Sequence, residues 1–437
     1  MSVAPSYRPV AGGAERTAQW AAVLLGASIP ISVALDNVLL GVLVLAWLAS
    51  ANFRDKAAAV RAHPVALAAI ALFAVYVAGI AWSDGPPADI GESMRKAARL
   101  LLIPLLITVF ADAAVRRRAW WGFSAAMLLT LALSYLVWSG ALPELRWIKG
   151  DPGNPVVFKL QITHNLLMAF AAFAWAVEMR RATTHRSRAA WGIASLLAVA
   201  NVLLMVQGRT GHLVLLTLLA WLFVAWFRWR GVALGAAALA AMATGAYLTP
   251  DSVVHQRAEL AVQEFSRWQP DVPSAATSSI GLRLEFYRNT AAVIQRHPVL
   301  GVGTGGFPRA YAEQVRGSGR ILTGNPHNEY LLVTAQLGAI GLLVLLGLFL
   351  TQWRTAARLG GPGERDLARG LVIAIVVASA VSSTLIDHAE GLFYVWMSAL
   401  LFAAAAPARR SAAATGSGSP GQLATDGHAG GHRPDPA

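Results

Sequence analysis

Three groups of residues in this chain of 437 have types and spacings suited to chemistry. The first is Asn325-Pro326-His327-Asn328-Glu329-Tyr330-Leu331, at the mouth of a long apolar run. An imidazole there can serve as a general base near neutral pH. Pro326 predicts a helix start whose unpaired N–H groups face an anion. A satisfied histidine at the edge of the apolar phase is the alternative. The second group is Gln207-Gly208-Arg209-Thr210-Gly211-His212, a short hairpin between two apolar segments. An arginine held between glycines that let backbone come close suits a phosphate or pyrophosphate. A snorkelling interface arginine is the plainer reading. The third is a helix predicted over 281–297, with Arg283 and Arg288 on it. Their side chains stand roughly 140° apart around the axis, so one ligand meets both only if it is large or lies beside the helix. The glycines that follow, Gly301 and Gly303 in Pro298-Val-Leu-Gly-Val-Gly-Thr-Gly-Gly-Phe307, permit tight turns and a phosphate nest. No strand precedes them, which excludes a dinucleotide fingerprint.

Weaker candidates lie elsewhere. Lys159, His164 and Asn165 open another apolar run, and Arg95, Lys96 and Arg99 either meet an acidic group or cap a helix. Asp387, His388 and Glu390 occupy a late turn that reads as solvated more readily than as a metal site. There is no cysteine, so disulfides, thiolate metal sites and a cysteine nucleophile are excluded. Three arginines and a histidine without a carboxylate cluster suit a dianionic leaving group better than a cation. Neither a metal nor an organic cofactor is expected. Buried acidic residues at mid-span, which an ion-coupled transporter usually shows, are not expected either.

The elements that must position these groups follow from composition. The chain is 56% hydrophobic and 14% charged, with a mean hydropathy of +0.51, whereas a soluble domain carries about a quarter charged residues. Apolar runs near 18–34, 36–51, 64–82, 97–112, 119–138, 164–179, 189–206, 212–227, 231–248, 328–351, 369–386 and 390–407 are each long enough for a span or nearly so. The expected fold is therefore all-α, a polytopic integral membrane protein of about twelve transmembrane helices. Residues 1–17 form a cytoplasmic segment before a retained first span, and 18–248 hold nine spans. Residues 249–326 form a long outward loop with amphipathic helices, 327–407 hold three more spans, and 408–437 form a disordered cytoplasmic tail.

With both termini inside, the inner segments carry 21 of the 36 basic and 8 of the 23 acidic residues. The outer side then holds 15 of each, and the whole excess of +13 lies inside. This is the positive-inside bias, so the basic balance reports topology and not nucleic-acid binding. All the promising groups share the outer side.

The stretch Ser278–Leu348 resembles the shared core of the O-antigen ligase and polymerase superfamily, which includes some pilin oligosaccharyltransferases. The likeness runs through Gly281-x-Arg283-Leu-Glu-Phe-Tyr-Arg288 and His297-Pro-Val-Leu-Gly301-Val-Gly303-x-Gly305-x-Phe307. It continues through Asn325-Pro-His327-Asn328-Glu-Tyr-Leu331 and Gln336-Leu-Gly338-Ala-Ile-Gly341-Leu342. At Arg209 the family often has Ser-Arg-Gly where this chain has Gly-Arg-Thr. The resemblance is greatest to the lipopolysaccharide O-antigen ligases. It implies transfer of O-antigen from undecaprenyl pyrophosphate to the lipid A–core oligosaccharide, at the periplasmic face of the bacterial inner membrane. In that setting His327 is the expected base and Arg209, Arg283 and Arg288 the expected pyrophosphate ligands. Asn325, Asn328, Gly301 and Gly303 are expected to support them. An O-antigen polymerase and a pilin oligosaccharyltransferase are the alternatives within the superfamily, and a transporter of anionic lipid or solute is the alternative outside it.

Overall fold

Backbone groups in an apolar phase must be satisfied within their own segment, and the long apolar runs accordingly fold as helices. The computed structural model describes residues 12–142, 145–228, 253–267 and 278–405, with isolated positions between 230 and 244. The first helices are α1 (Gly13–Ser28), α2 (Val33–Ala49), α3 (Phe53–Ala62), α4 (Pro64–Ala78), α5 (Pro87–Ala97) and α6 (Leu102–Val109). Next come α7 (Ala113–Trp138), α8 (Gln161–Arg181), α9 (His185–Ala200) and α10 (Arg209–Phe227). The loop helices α11 (Val253–Arg267), α12 (Ser279–Arg296) and α13 (Phe307–Gln314) precede α14 (Glu329–Ala356), α15 (Pro362–Val381) and α16 (His388–Phe402). Among the described residues there is no strand, only an isolated bridge between Asp151 and Asn154.

The protein is an all-α, multi-pass membrane protein, but its helices are less uniform than their composition suggests. Six of them are long and apolar enough to cross a bilayer: Pro64–Trp82, Ala113–Trp138, Gln161–Arg181, His185–Met205, Arg209–Phe227 and Glu329–Ala356. Counting α2 and α3 as one span, bent by 111°, brings the number to seven. The other expected spans differ in length or lie outside the described residues. Helices α1, α2 and α16 have 16, 17 and 15 residues, hence about 23–26 Å at 1.5 Å per residue, against a hydrocarbon core of about 30 Å. Residues 97–112 divide into a 3₁₀ turn and the eight-residue α6. Most of the expected span 231–248, the first eleven residues and the tail 408–437 lie outside the described residues.

The described helices belong to one unit, Met1–Pro407. Its centre is α8, buried continuously from His164 to Val177. Around it pack Phe123, Phe393 and Trp396, with Phe123 stacked on Phe393 at 5.7 Å between ring centroids. The chain reverses between α1 and α2 in four residues, where the Ser28 hydroxyl donates to Asp36 at 2.7 Å.

The break in α14 bears on the site. Gly338 has φ +63, and a Cβ there would lie 2.0 Å from the Val299 carbonyl oxygen. At this break the helix accepts the Val302 N–H at Ala335 O (2.9 Å) and the Gly303 N–H at Gln336 O (2.8 Å), while Ala339 N–H donates to Pro298 O at 2.8 Å. The glycine loop after α12 is thereby clasped to the middle of α14, which ties the outer helices to the spanning layer.

Candidate functional site

Helix α12 starts at Ser278, whose hydroxyl accepts the Gly281 N–H at 3.0 Å, a normal N-cap. Its apolar face is turned inward. Phe286 is buried with Phe307, Tyr311 and Leu332, and Leu282 and Ile294 pack at the edge of the same cluster. Glu285, also buried, is ion-paired with Arg320, so the base of the helix is anchored by charge as well as by area. The opposite face turns Ile280, Arg283, Leu284 and Tyr287 toward Arg209, Thr210, Leu213 and Val381, enclosing a cleft of about 360 Å³. Arg209 and Arg283 thus meet across one cleft. Arg288 is exposed and does not line it; it lies one turn beyond Leu284, at the edge of that face.

Arg209 is held by the hairpin below it. Helix α9 ends in a π turn, Asn201–Met205, and Asn165 of α8 donates from Nδ2 to Val206 O at 3.3 Å and Gly208 O at 3.4 Å. Cβ atoms on Gly208 and Gly211 would fall 2.5 and 2.2 Å from Asn165 side-chain atoms. The glycines beside Arg209 therefore admit the neighbouring helix, and nothing in their packing calls for a ligand. His164, next to Asn165, is hydrogen-bonded to Asn201 at 3.1 Å. These two weaker candidates are positioning residues for the hairpin.

One carboxylate accompanies the arginines. Both Nη atoms of Arg209 donate to Glu264 Oε2 of α11 at 3.3 Å, and the same oxygen accepts the Ile280 N–H at 3.2 Å. Arg283 has no such carboxylate partner among the described residues. Burial, together with the neighbouring Arg209 charge, pulls its pKa below the ordinary arginine value. Two guanidinium groups and one carboxylate leave this cleft electropositive.

His327 sits in the loop between the arginine cleft and α14. Asn325 Oδ1 accepts the His327 N–H at 2.8 Å and the Ser383 hydroxyl at 2.6 Å. Asn328 caps α14 through Leu331 N–H at 3.0 Å and donates to Ala380 O at 2.8 Å. The Tyr287 hydroxyl donates to His327 O at 3.2 Å. So fixed, His327 has φ +57, the left-handed region that costs a non-glycine residue about 1–3 kcal/mol. Its half-buried ring stacks on Phe286 with centroids 6.1 Å apart. Burial first, and then the Arg283 charge, lowers its pKa, which favours the neutral imidazole. The helix itself starts at Glu329, so Pro326 precedes the N-cap and is not its first turn, contrary to expectation. Asn328 fills the capping position that an anion was expected to use.

The glycine loop also departs from expectation. The N–H groups of residues 301, 302, 303, 304 and 306 donate to backbone carbonyls, and that of Gly305 donates to Gln336 Oε1 at 2.6 Å. No amide from 301 to 306 remains for a phosphate, so Gly301 (φ +67) and Gly303 (φ +83) serve the clasp on α14.

The late turn is partly buried rather than fully solvated. Glu390 is buried and accepts from Thr163. His388 lies 3.5 Å from the buried Asp36, which also faces Lys159 at 4.0 Å. Arg99 donates to the Ile386 and Asp387 carbonyls at 3.0 and 2.7 Å, whereas Lys96 pairs with Glu92 at 2.7 Å and Arg95 is exposed. No cluster of metal-ligating side chains occurs among the described residues. Sequence reading missed Glu264, Glu285, Tyr287 and Asp36 as parts of these arrangements. Only Tyr287 carried a signal, being one turn from Arg283 on the same helix face.

Fold and site together define a multi-pass membrane protein with a basic cleft beside a constrained histidine. Residues 193–346 match the family model described as O-antigen ligase, a range that includes the Arg209 hairpin, α12 and the His327 loop. This stretch of the chain is similar to that family. No curated protein is significantly similar to it.

Proposed function

We propose that the protein is an O-antigen ligase of the bacterial inner membrane, with its site facing the periplasm and both termini cytoplasmic. It takes O-antigen from undecaprenyl pyrophosphate and attaches it to the lipid A–core oligosaccharide. The observation that supports this most is the pairing of Arg209 and Arg283 across one cleft, on the helix that also packs against His327.

In this reading the acceptor hydroxyl attacks the anomeric carbon, and the carbon–oxygen bond to pyrophosphate breaks. His327 takes the hydroxyl proton. Arg209 and Arg283 bind the departing pyrophosphate, and Arg288 contributes from the rim. Charge grows on that leaving group in the transition state, so guanidinium groups preplaced there contribute where electrostatics is worth most. They also supply the neutralisation for which a divalent cation would otherwise serve. A single displacement inverts the anomeric centre. Glu264 shares Arg209 in the free protein and yields to the incoming pyrophosphate.

The test uses purified full-length protein in vesicles, given lipid-linked glycan and lipid A–core with chelator and without ATP. Mass spectrometry of the extracted lipids is expected to find the glycan on lipid A–core. Glycan lengthened on undecaprenyl carrier would assign a polymerase instead, and movement across the vesicle without new linkage would assign a transporter.

A further inference from the structure

A second cavity, of about 400 Å³, is lined by α5, by Thr323, Gly324, Asn325 and Glu329 on either side of His327, and by the turn at 385–387. Glu329 lines it and is fully buried. One of its carboxylate oxygens accepts the Leu385 N–H at 2.9 Å, while the other, Oε1, has no partner. Beside it is Asp387, whose carboxylate takes no hydrogen bond among the described residues. Burial, reinforced by Glu390, pushes the Asp387 pKa up to about 6. A buried acceptor without a donor is costly, so Glu329 Oε1 calls for a ligand that brings a donor, and the partly exposed Asp387 offers a second acceptor beside it.

The rest of the wall restricts that ligand. Its charges are of both signs: Asp89, Glu92 and Asp387 oppose a phosphate, while Lys96, paired with Glu92, and Arg99 oppose an added cation. A neutral polyhydroxyl compound satisfies both, donating to Glu329 and Asp387 and accepting from Lys96. Asn325 joins this cavity to the base, since it lines the wall and its Oδ1 holds the His327 N–H at 2.8 Å.

We propose that this cavity, separate from the arginine cleft, is the acceptor-sugar site, in which Glu329 and Asp387 accept hydrogen bonds from sugar hydroxyls. The assignment rests on the glycosyl-transfer reading above, but it is testable separately through binding. The probe is the soluble oligosaccharide released by deacylating lipid A–core, titrated against full-length protein in nanodiscs and followed by saturation-transfer NMR. Asp387→Asn and Glu329→Gln are expected to weaken binding about tenfold or more each, the usual size of a lost charged hydrogen bond. Ser93→Trp, on the partly exposed wall of α5, is expected to block the cavity without disturbing a buried carboxylate. In transfer assays the same variants raise the acceptor KM and leave the donor KM unchanged. Wild-type protein that binds no oligosaccharide, or Ser93→Trp and Asp387→Asn that bind it normally, would overturn the assignment. Oligosaccharide binding that Asp387→Asn abolishes, in a protein that transfers nothing, would leave the cavity standing and remove the transferase.

Discussion

His327 and Arg283 carry the account at the scale of single residues. A general base must be neutral to accept a proton, so activity is lost as pH falls through its pKa. Burial and Arg283 lower that pKa, which puts the acid limb of the kcat/KM profile below the ordinary histidine value of about 6.5. Arg283→Ala removes the neighbouring cation and is expected to move this limb to higher pH, whereas Arg283→Lys keeps it in place. A pH–rate profile of both variants checks the sign. The two helix arginines should also separate. Arg283 lines the cleft and Arg288 is exposed, so Arg283→Ala is expected to raise the donor KM more than Arg288→Ala does, as steady-state kinetics in donor concentration can show. The types of these residues were legible in the sequence. Their partners were not: Glu264 is 55 residues from Arg209, and Glu285 is 35 from Arg320. No local pattern links residues so far apart.

Among the elements, the outer loop was the most legible. Leu282, Phe286, Val293 and Ile294 recur at helical spacing, and α12 buries that stripe. The glycine loop was misread because a glycine-rich run has the same composition whether its amides face a ligand or a neighbouring helix. Only the tertiary partner decides, and here it is the break in α14. The clasp makes its own prediction. Gly338→Ala forces a side chain into positive φ and against the Val299 carbonyl, costing at least about 1–3 kcal/mol. Thermal unfolding in detergent is expected to show a clear drop in Tm. An unchanged Tm would mean that the helix does not depend on this junction. Substituting the Arg209 hairpin should behave similarly, since Gly211→Ala places a methyl group against Asn165.

Over the whole molecule, the membrane class was legible from hydropathy, because backbone satisfaction in lipid leaves few choices. Among the described residues, six or seven helices are long and apolar enough for a full crossing. Apolar composition does not say where a helix is interrupted, as at residues 98–101 before α6 and at the bend between α2 and α3. The order of helices nevertheless brings the Arg209 hairpin, α12, the His327 loop and the Asp387 turn to the same end of the layer, on which the proposed transfer depends. The most direct measurement is a single-turnover transfer assay on reconstituted protein with His327→Asn. Asparagine tolerates the left-handed backbone and lacks a base. Transfer is expected to fall by about 10²–10⁴-fold, with donor binding and Tm close to wild type. Transfer at the wild-type rate would contradict the central claim that His327 receives the acceptor's proton.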